Sequence, residues 1–345
     1  MVVSIQYMRA IAVLLVVFHH AMWKGEVYSG TPWDWYNFGI AGVDLFFIIS
    51  GYIMCYTTNR RETDIYQFLK ARFIRIMPLY WILSSIALVI YLFMPDKINS
   101  SGGATSIFHS FTLIPSSSKY LIQNGWTLSY EFFFYFIFSL GLIFSTAKKY
   151  LLPAIVLIVL AILGQVFKPD NVYFAFMTSF ILLEFVMGMV IFSLTQKYSL
   201  PKNMAIALCL LAIALLVYLS HGEESSNRVV DYGIPCLLFS FGLVNLENDL
   251  QEHKHHQLSK ILGKIGDSSY STYLVHPFFL VIASMILGKS SLTDFGNLFI
   301  IILAFGSILT GWICYVALEK PLTKFVKQKV TQNIKKEPAK QLISK

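Results

Sequence analysis

The stretch YMRAIAVLLVVFHHAMW, Tyr7 to Trp23, has the apolar length of a membrane helix, yet it carries an arginine and two histidines. About 20 predominantly apolar residues cross the hydrocarbon of a bilayer, and the run at about 4–23 supplies them. Ionisable side chains are costly there, so they are rare and mark function. Arg9 and His20 are eleven residues apart. At ~100° per residue that is three turns plus roughly 20°, so the two share a helical face and lie about 16 Å apart along the axis. His19 points about 100° away. On this segment alone a plainer reading stays open, in which Arg9 snorkels to the headgroups and His20 closes a helix end in the interface.

Working outward, the 345-residue chain is 56% hydrophobic and only 13% charged, with a mean hydropathy of +0.62, against about 25% charged in ordinary soluble domains. The apolar excess recurs from end to end, which predicts an all-α, polytopic integral-membrane helical bundle. The net charge of +8 does not point to nucleic acid, because the charges sit between apolar runs and in the tail, and no soluble basic domain is present to hold it. Cys55, Cys209, Cys236 and Cys314 all lie inside apolar runs and read as reduced packing residues, without disulfide or metal spacing. No basic region precedes the first run, and no small-residue cleavage site follows it, so it reads as a retained span.

Runs long enough to cross fall at about 4–23, 37–58, 76–94, 121–144, 151–167, 172–194, 203–220, 229–246, 269–287 and 296–318. About ten transmembrane helices put both termini on one side. With the N-terminus inside, the inner segments hold 21 of the 27 Lys and Arg residues and the outer loops 6, so both ends are expected in the cytoplasm. Residues 1–322 form the membrane domain in this reading. Residues 323–345 form a basic cytoplasmic tail with affinity for anionic membrane lipids. The segment 95–120 is the longest outer loop, expected to cover or line an outer cavity.

Further polar residues then fall into two layers. The second span, GIAGVDLFFIISGY, carries Asp44, and the fourth, NGWTLSYEFFFYF, carries Glu131. Both enter from outside, at a depth comparable to His20. A histidine with carboxylates nearby is oriented and stabilised when protonated, and a structural lock is the alternative for Asp44. Below, RRETDIYQFLKARFIRIMPLYW places Arg72 and Arg75 three residues apart on one helical face, level with Arg9. Clustered guanidinium groups suit phosphate through bidentate hydrogen bonds, and positive-inside topology alone is the alternative. Cations below, an apolar sleeve and a base above fit an elongated donor with phosphates at one end. Coenzyme A thioesters have that shape.

The stretches SIQYMRAIAVLLVVFHHA, AGVDLFFIISGY, RFIRIMPLYW, GWTLSYEFFFY, GDSSYSTYLVHPF and LEKPL, spread over residues 4–322, resemble those of the acyltransferase 3 family of integral-membrane acyltransferases. The likeness is greatest to the branch that acts on exopolysaccharide and O-antigen. The resemblance implies O-acyl transfer, commonly acetyl, from cytoplasmic acyl-CoA to an envelope polysaccharide or lipid-linked oligosaccharide, in a bacterial inner (cytoplasmic) membrane. It implies a catalytic role for His20, with Arg9 also involved. Acyl-CoA is then a donor substrate rather than a resident cofactor. Many relatives carry an extracytoplasmic esterase-like domain; none is expected here, so the chain acts alone or with polysaccharide-assembly proteins.

Other positions carry weaker readings. Tyr273 and His276, in YLVHP, enter the ninth span from inside, so His276 is expected low, facing the donor channel or shaping the helix with Pro277. Glu319 pairs with inner arginines, and Glu184 packs or hydrogen-bonds inside the sixth span. HKHH at 253–256 reads as a solvated loop and not a metal site. Ser50 has no histidine evidently placed to activate it. Trp23, Trp33, Trp35 and Trp126 either stack on sugars or form an interfacial belt. Two other classes remain open at this point: a transporter of small anions or acyl groups using the same residues as a proton relay, and a non-catalytic scaffold.

Overall fold

The computed structural model describes residues 2–31, 34–95, 103–145, 148–220 and 227–329, with the side chains of 34–36 left aside. Trp33, the Trp35 side chain, Lys97 and residues 330–345 of the basic tail lie outside the described residues. All the described regular elements are helical. Among the described residues, eight helices are long and apolar enough to cross a membrane. They include α1 (Val3–Ser29), α2 (Ala41–Arg60) and α3 (Ile65–Phe93). The fourth expected span is the shorter α5 (Gly125–Gly141), of 17 residues, which follows the one-turn α4 (Ile107–Thr112). Next come α6 (Lys148–Phe167), α7 (Val172–Met177) running into α8 (Leu182–Thr195), and α9 (Lys202–Ser220). The eighth expected span is also short: a π turn at Val229–Gly233 leads into α10 (Ile234–Asn245). After α11 (Glu247–Glu252) come α12 (Gln257–Leu287) and α13 (Gly296–Cys314), the last continuing past residue 322 to Lys329.

Two helices begin well before their apolar runs. Asp64 caps α3 by accepting from the Gln67 amide at 2.8 Å, as a short acidic side chain does at a helix start. The helix therefore starts eleven residues before the expected 76, and Arg72, Arg75 and Pro78 belong to one rod. Likewise α12 starts at Gln257, twelve residues ahead of the expected 269. At the start of α1, both carboxylate oxygens of Glu247 accept from backbone amides, those of Val3 and Ser4, at 2.9 and 2.7 Å. An acidic group from another helix thus satisfies amides that have no partner within α1.

Burial sorts the helices into a centre and a rim. The window around α2 is 78% buried, against 17% for α6 and for α9; the latter two present apolar side chains outward. At the centre α1 packs on α2, α12 and α13, and α2 packs on α8. Without a hydrophobic drive between helices in lipid, association depends on close backbone approach at small residues. At Gly51, an added Cβ would meet the Phe185 carbonyl oxygen at 2.0 Å, and at Gly188 the Ile48 carbonyl oxygen at 2.0 Å. The α2–α8 crossing is therefore built on two facing glycines, and it fixes the height of Ser50 next door. The segment 103–120 folds back onto α3, where the Tyr80 hydroxyl donates to the Ser110 carbonyl and Trp81 Nε1 to the Phe111 carbonyl.

Gly51→Ala or Gly188→Ala is expected to cost about 1–3 kcal/mol, as overpacking does, because backbone and not a flexible side chain stands in the way. Thermal unfolding in detergent measures it; Gly263→Ala, where an added Cβ meets nothing within 4 Å, serves as the control.

Candidate functional site

A cavity of about 230 Å³ opens where α1, α2, α3, α5 and α12 converge, and Arg9, Ser50, Arg72, Arg75, Glu131 and Tyr273 all line it. Its charges are not equivalent. Arg75 pairs with Glu319, a buried carboxylate that also accepts from the Ser271 hydroxyl. Glu131 accepts from the Ser50 hydroxyl at 2.6 Å. Arg9 and Arg72 make no hydrogen bond or ion pair among the described residues. The Arg72 guanidinium lies 5.8 Å from the Phe68 ring, and its buried Nε is without a partner. Two half-buried guanidinium groups with no bonded carboxylate among the described residues form a ready site for an anion that accepts several charge-assisted hydrogen bonds. Ligand pockets commonly run to roughly 300–1,000 Å³, so this smaller space suits a slender arm with a charged end.

From the cavity a line of rings leads along α12. The Tyr273 hydroxyl bonds the Thr127 hydroxyl at 3.0 Å, and the Tyr273 carbonyl accepts from Asn124 Nδ2 at 2.7 Å. The His276 ring stands 6.1 Å from that of Tyr273, and the His20 ring 5.1 Å from that of His276. Both imidazoles are oriented by their own helices. His20 Nδ1 is 2.9 Å from the Val16 carbonyl and His276 Nδ1 is 3.1 Å from the Thr272 carbonyl. A carbonyl only accepts, so in the neutral rings Nδ1 carries the proton and Nε2 keeps the lone pair. The His276 side chain is fully buried, and its Nε2 has no partner.

The structure thus gathers Arg9, Arg72, Arg75, Glu131 and Tyr273 in one cavity, with His20 and His276 as a pair beyond it. His276 is not low in the bundle, as expected from residue 269 as the start of its span. Because α12 starts at 257 and runs parallel to α1, residue 276 reaches the level of His20. Asp44 is placed apart from the cavity. Its two oxygens accept from Arg228 Nε and Nη2 at 2.9 and 2.7 Å, with the buried Glu184 beside them. Among the described residues, no hydrogen bond or ion pair joins His20 to Asp44 or to Glu131. Arg228 also covers the Trp126 ring at 5.8 Å. The Asp44–Arg228 pair escaped the sequence reading, although Arg228 opens the eighth span at the same end of the bundle at which Asp44 opens the second. The serine on Glu131 escaped it too, since a carboxylate and not a histidine accepts its hydrogen bond. His253 and His256, in HKHH, are exposed, 5.4 Å apart by ring centres.

A family model described as an acyltransferase domain, the acyltransferase 3 family, matches residues 2–319. The chain belongs to that family. It is 29% identical over 297 residues to the exopolysaccharide production protein ExoZ of Rhizobium meliloti, covering 84% of this chain and 91% of that protein. No solved structure matches it.

The geometry assigns Asp44 to holding α2 against the π turn. Removing one member of a buried ion pair costs about 3–5 kcal/mol, and Asp44→Ala is expected at the low end because the Arg228 side chain stays 33% exposed. The double variant Asp44→Ala/Arg228→Met is expected to unfold at a higher temperature than Asp44→Ala alone. Acyl transfer abolished in Asp44→Ala with parent-like unfolding would contradict the assignment.

Proposed function

We propose that this membrane acyltransferase moves an acyl group, acetyl in the simplest case, from acyl-coenzyme A to a hydroxyl of an exopolysaccharide or of its lipid-linked precursor. The observation that carries the reading is the arginine-lined cavity bounded by Tyr273, from which ring contacts lead to two oriented imidazoles. Arg9 and Arg72, which have no bonded carboxylate among the described residues, would take the coenzyme's phosphates. Arg75, already paired with Glu319, would add to the local field without being freed. The slender cavity suits the start of the pantetheine arm. About 16 Å of α1 separates Arg9 from His20, a span of the order of that arm's length. The excess of basic residues at the Arg9 end supports a cytoplasmic donor and an acceptor that approaches from the other face of an inner (cytoplasmic) membrane. The relative's name concerns exopolysaccharide production, which supports the acceptor class.

In the transfer, His20 Nε2 is the general base. It takes the hydroxyl proton as the oxygen attacks the thioester carbonyl. The C–S bond then breaks, and the thiolate is protonated on leaving. Glu131, held by Ser50, sits on the cavity wall amid the arginines and would set the local charge there. Asp44 is left with a structural part.

The test uses purified protein in lipid with labelled acetyl-CoA and surface polysaccharide from the host. His20→Ala is expected to lower acyl transfer by about 10²–10⁴-fold, the usual share of a general base, with coenzyme A binding intact. Arg9→Ala and Arg72→Ala are each expected to weaken coenzyme A binding roughly ten- to a hundredfold, since a hydrogen bond to a charged group is worth about 1.5–3 kcal/mol. Full transfer by His20→Ala, or coenzyme A binding indifferent to both arginines, would overturn the reading.

A further inference from the structure

One buried acceptor is left over by this scheme. His276 Nε2 is out of solvent and without a hydrogen-bond partner, although the large majority of buried polar atoms in native proteins are paired. It belongs to the ring 5.1 Å from that of His20. At His20, the Nδ1 position that an aspartate fills in a serine–histidine–aspartate triad is filled instead by the Val16 carbonyl. A carbonyl orients the ring but brings no charge. Once His20 has taken a proton, its imidazolium has no carboxylate bonded to it among the described residues. What lies beside it is a second imidazole whose lone pair is free. An imidazolium N–H and an imidazole lone pair are donor and acceptor to one another.

Resting on the acyl transfer proposed above, we infer that His276 is the second proton acceptor of the site. It shares the proton that His20 takes from the acceptor hydroxyl and returns that proton to the departing thiolate. The O–H bond breaks with its proton going to His20 Nε2, and the oxygen's electron pair forms the bond to the acyl carbon. The C–S bond breaks with its pair going to sulfur. The proton passes from His20 Nε2 to His276 Nε2 and from there to the sulfur, which leaves both rings neutral and consumes no other reactant. The order of the groups suits this path. Tyr273, on the cavity wall, stands 6.1 Å by ring centres from His276. His276 therefore lies between His20 and the space from which the thioester sulfur arrives.

Two variants test it. His276→Asn keeps an amide near the Nδ1 position, able to donate to the Thr272 carbonyl, and deletes Nε2. His276→Gln sets an amide near the Nε2 position that accepts from His20 but takes up no proton. Both are expected to lower kcat at least about 100-fold while KM for acetyl-CoA changes by less than about twofold, the mark of a group that acts only in the transition state. Thermal unfolding is followed in parallel, and His276→Gln decides the matter if His276→Asn loses its fold. A parent-like kcat in His276→Gln overturns the inference and leaves His276 as a spacer that positions His20. So does a loss that falls on KM and unfolding together. Absence of acyl transfer in the parent protein is a separate result: it removes the proposed function, and this inference with it.

Discussion

The parallel contact between α1 and α12 is the constraint on which the rest of the structure depends. An added Cβ at Gly266 would meet the Gln6 carbonyl oxygen at 2.3 Å near one end, and one at Gly288 would meet the Tyr28 ring at 2.4 Å near the other. Between these points lies the His20–His276 pair. A shift of one residue along either helix turns a side chain by about 100°, which would separate those rings and take Arg9 or Tyr273 off the cavity wall. Close contact at both ends, with backbone at Gly266 and with the Tyr28 ring at Gly288, opposes such a shift. The two helices are locked in register by sterics, and the site inherits that register.

Within this frame the buried charges divide into those that hold the bundle and those held out for use. Arg75 with Glu319 and Ser271 ties α3 to α12 and α13, and Asp44 with Arg228 ties α2 to the π turn. Each is a bond between helices that a low-dielectric surrounding makes costly to break. Arg9 and Arg72 are different, for they sit beside the same cavity with no hydrogen bond or ion pair among the described residues. Of three arginines that the sequence presents as equivalent phosphate ligands, one is committed to structure and two are available. Guanidinium groups left with donors to spare can bind an anion through several charge-assisted hydrogen bonds at once.

Much of the fold was legible because each apolar run of membrane length has one structural solution, a helix. The helical face shared by Arg9 and His20 and the pairing of Arg72 with Arg75 followed from helical spacing alone. What stayed hidden depended on polar residues and on distance in sequence. The extensions of α3 and α12 consist of polar turns outside any apolar run, and the Asp64 cap that starts α3 is a local signal that hydropathy does not weigh. The level of His276 was misjudged because depth was counted from the apolar edge and not from the helix that α1 positions. Arg228 lies 184 residues from Asp44, and in the sequence it counted only as one charge in an outer loop. Among the described residues no carboxylate is bonded to His20, and the carboxylates expected there have other partners, Arg228 for Asp44 and Ser50 for Glu131.

The central claim is that acyl-coenzyme A lies along α1 from Arg9 to His20. The most direct measurement is a structure of the protein in a lipid disc with a thioether analogue of acetyl-coenzyme A that cannot transfer its acyl group. The account predicts phosphates against Arg9 and Arg72, the pantetheine arm passing Tyr273, and the sulfur beside the His20–His276 pair. An analogue that ends with its acyl group against Ser50 and Glu131, or that binds away from the arginine cavity, would contradict it.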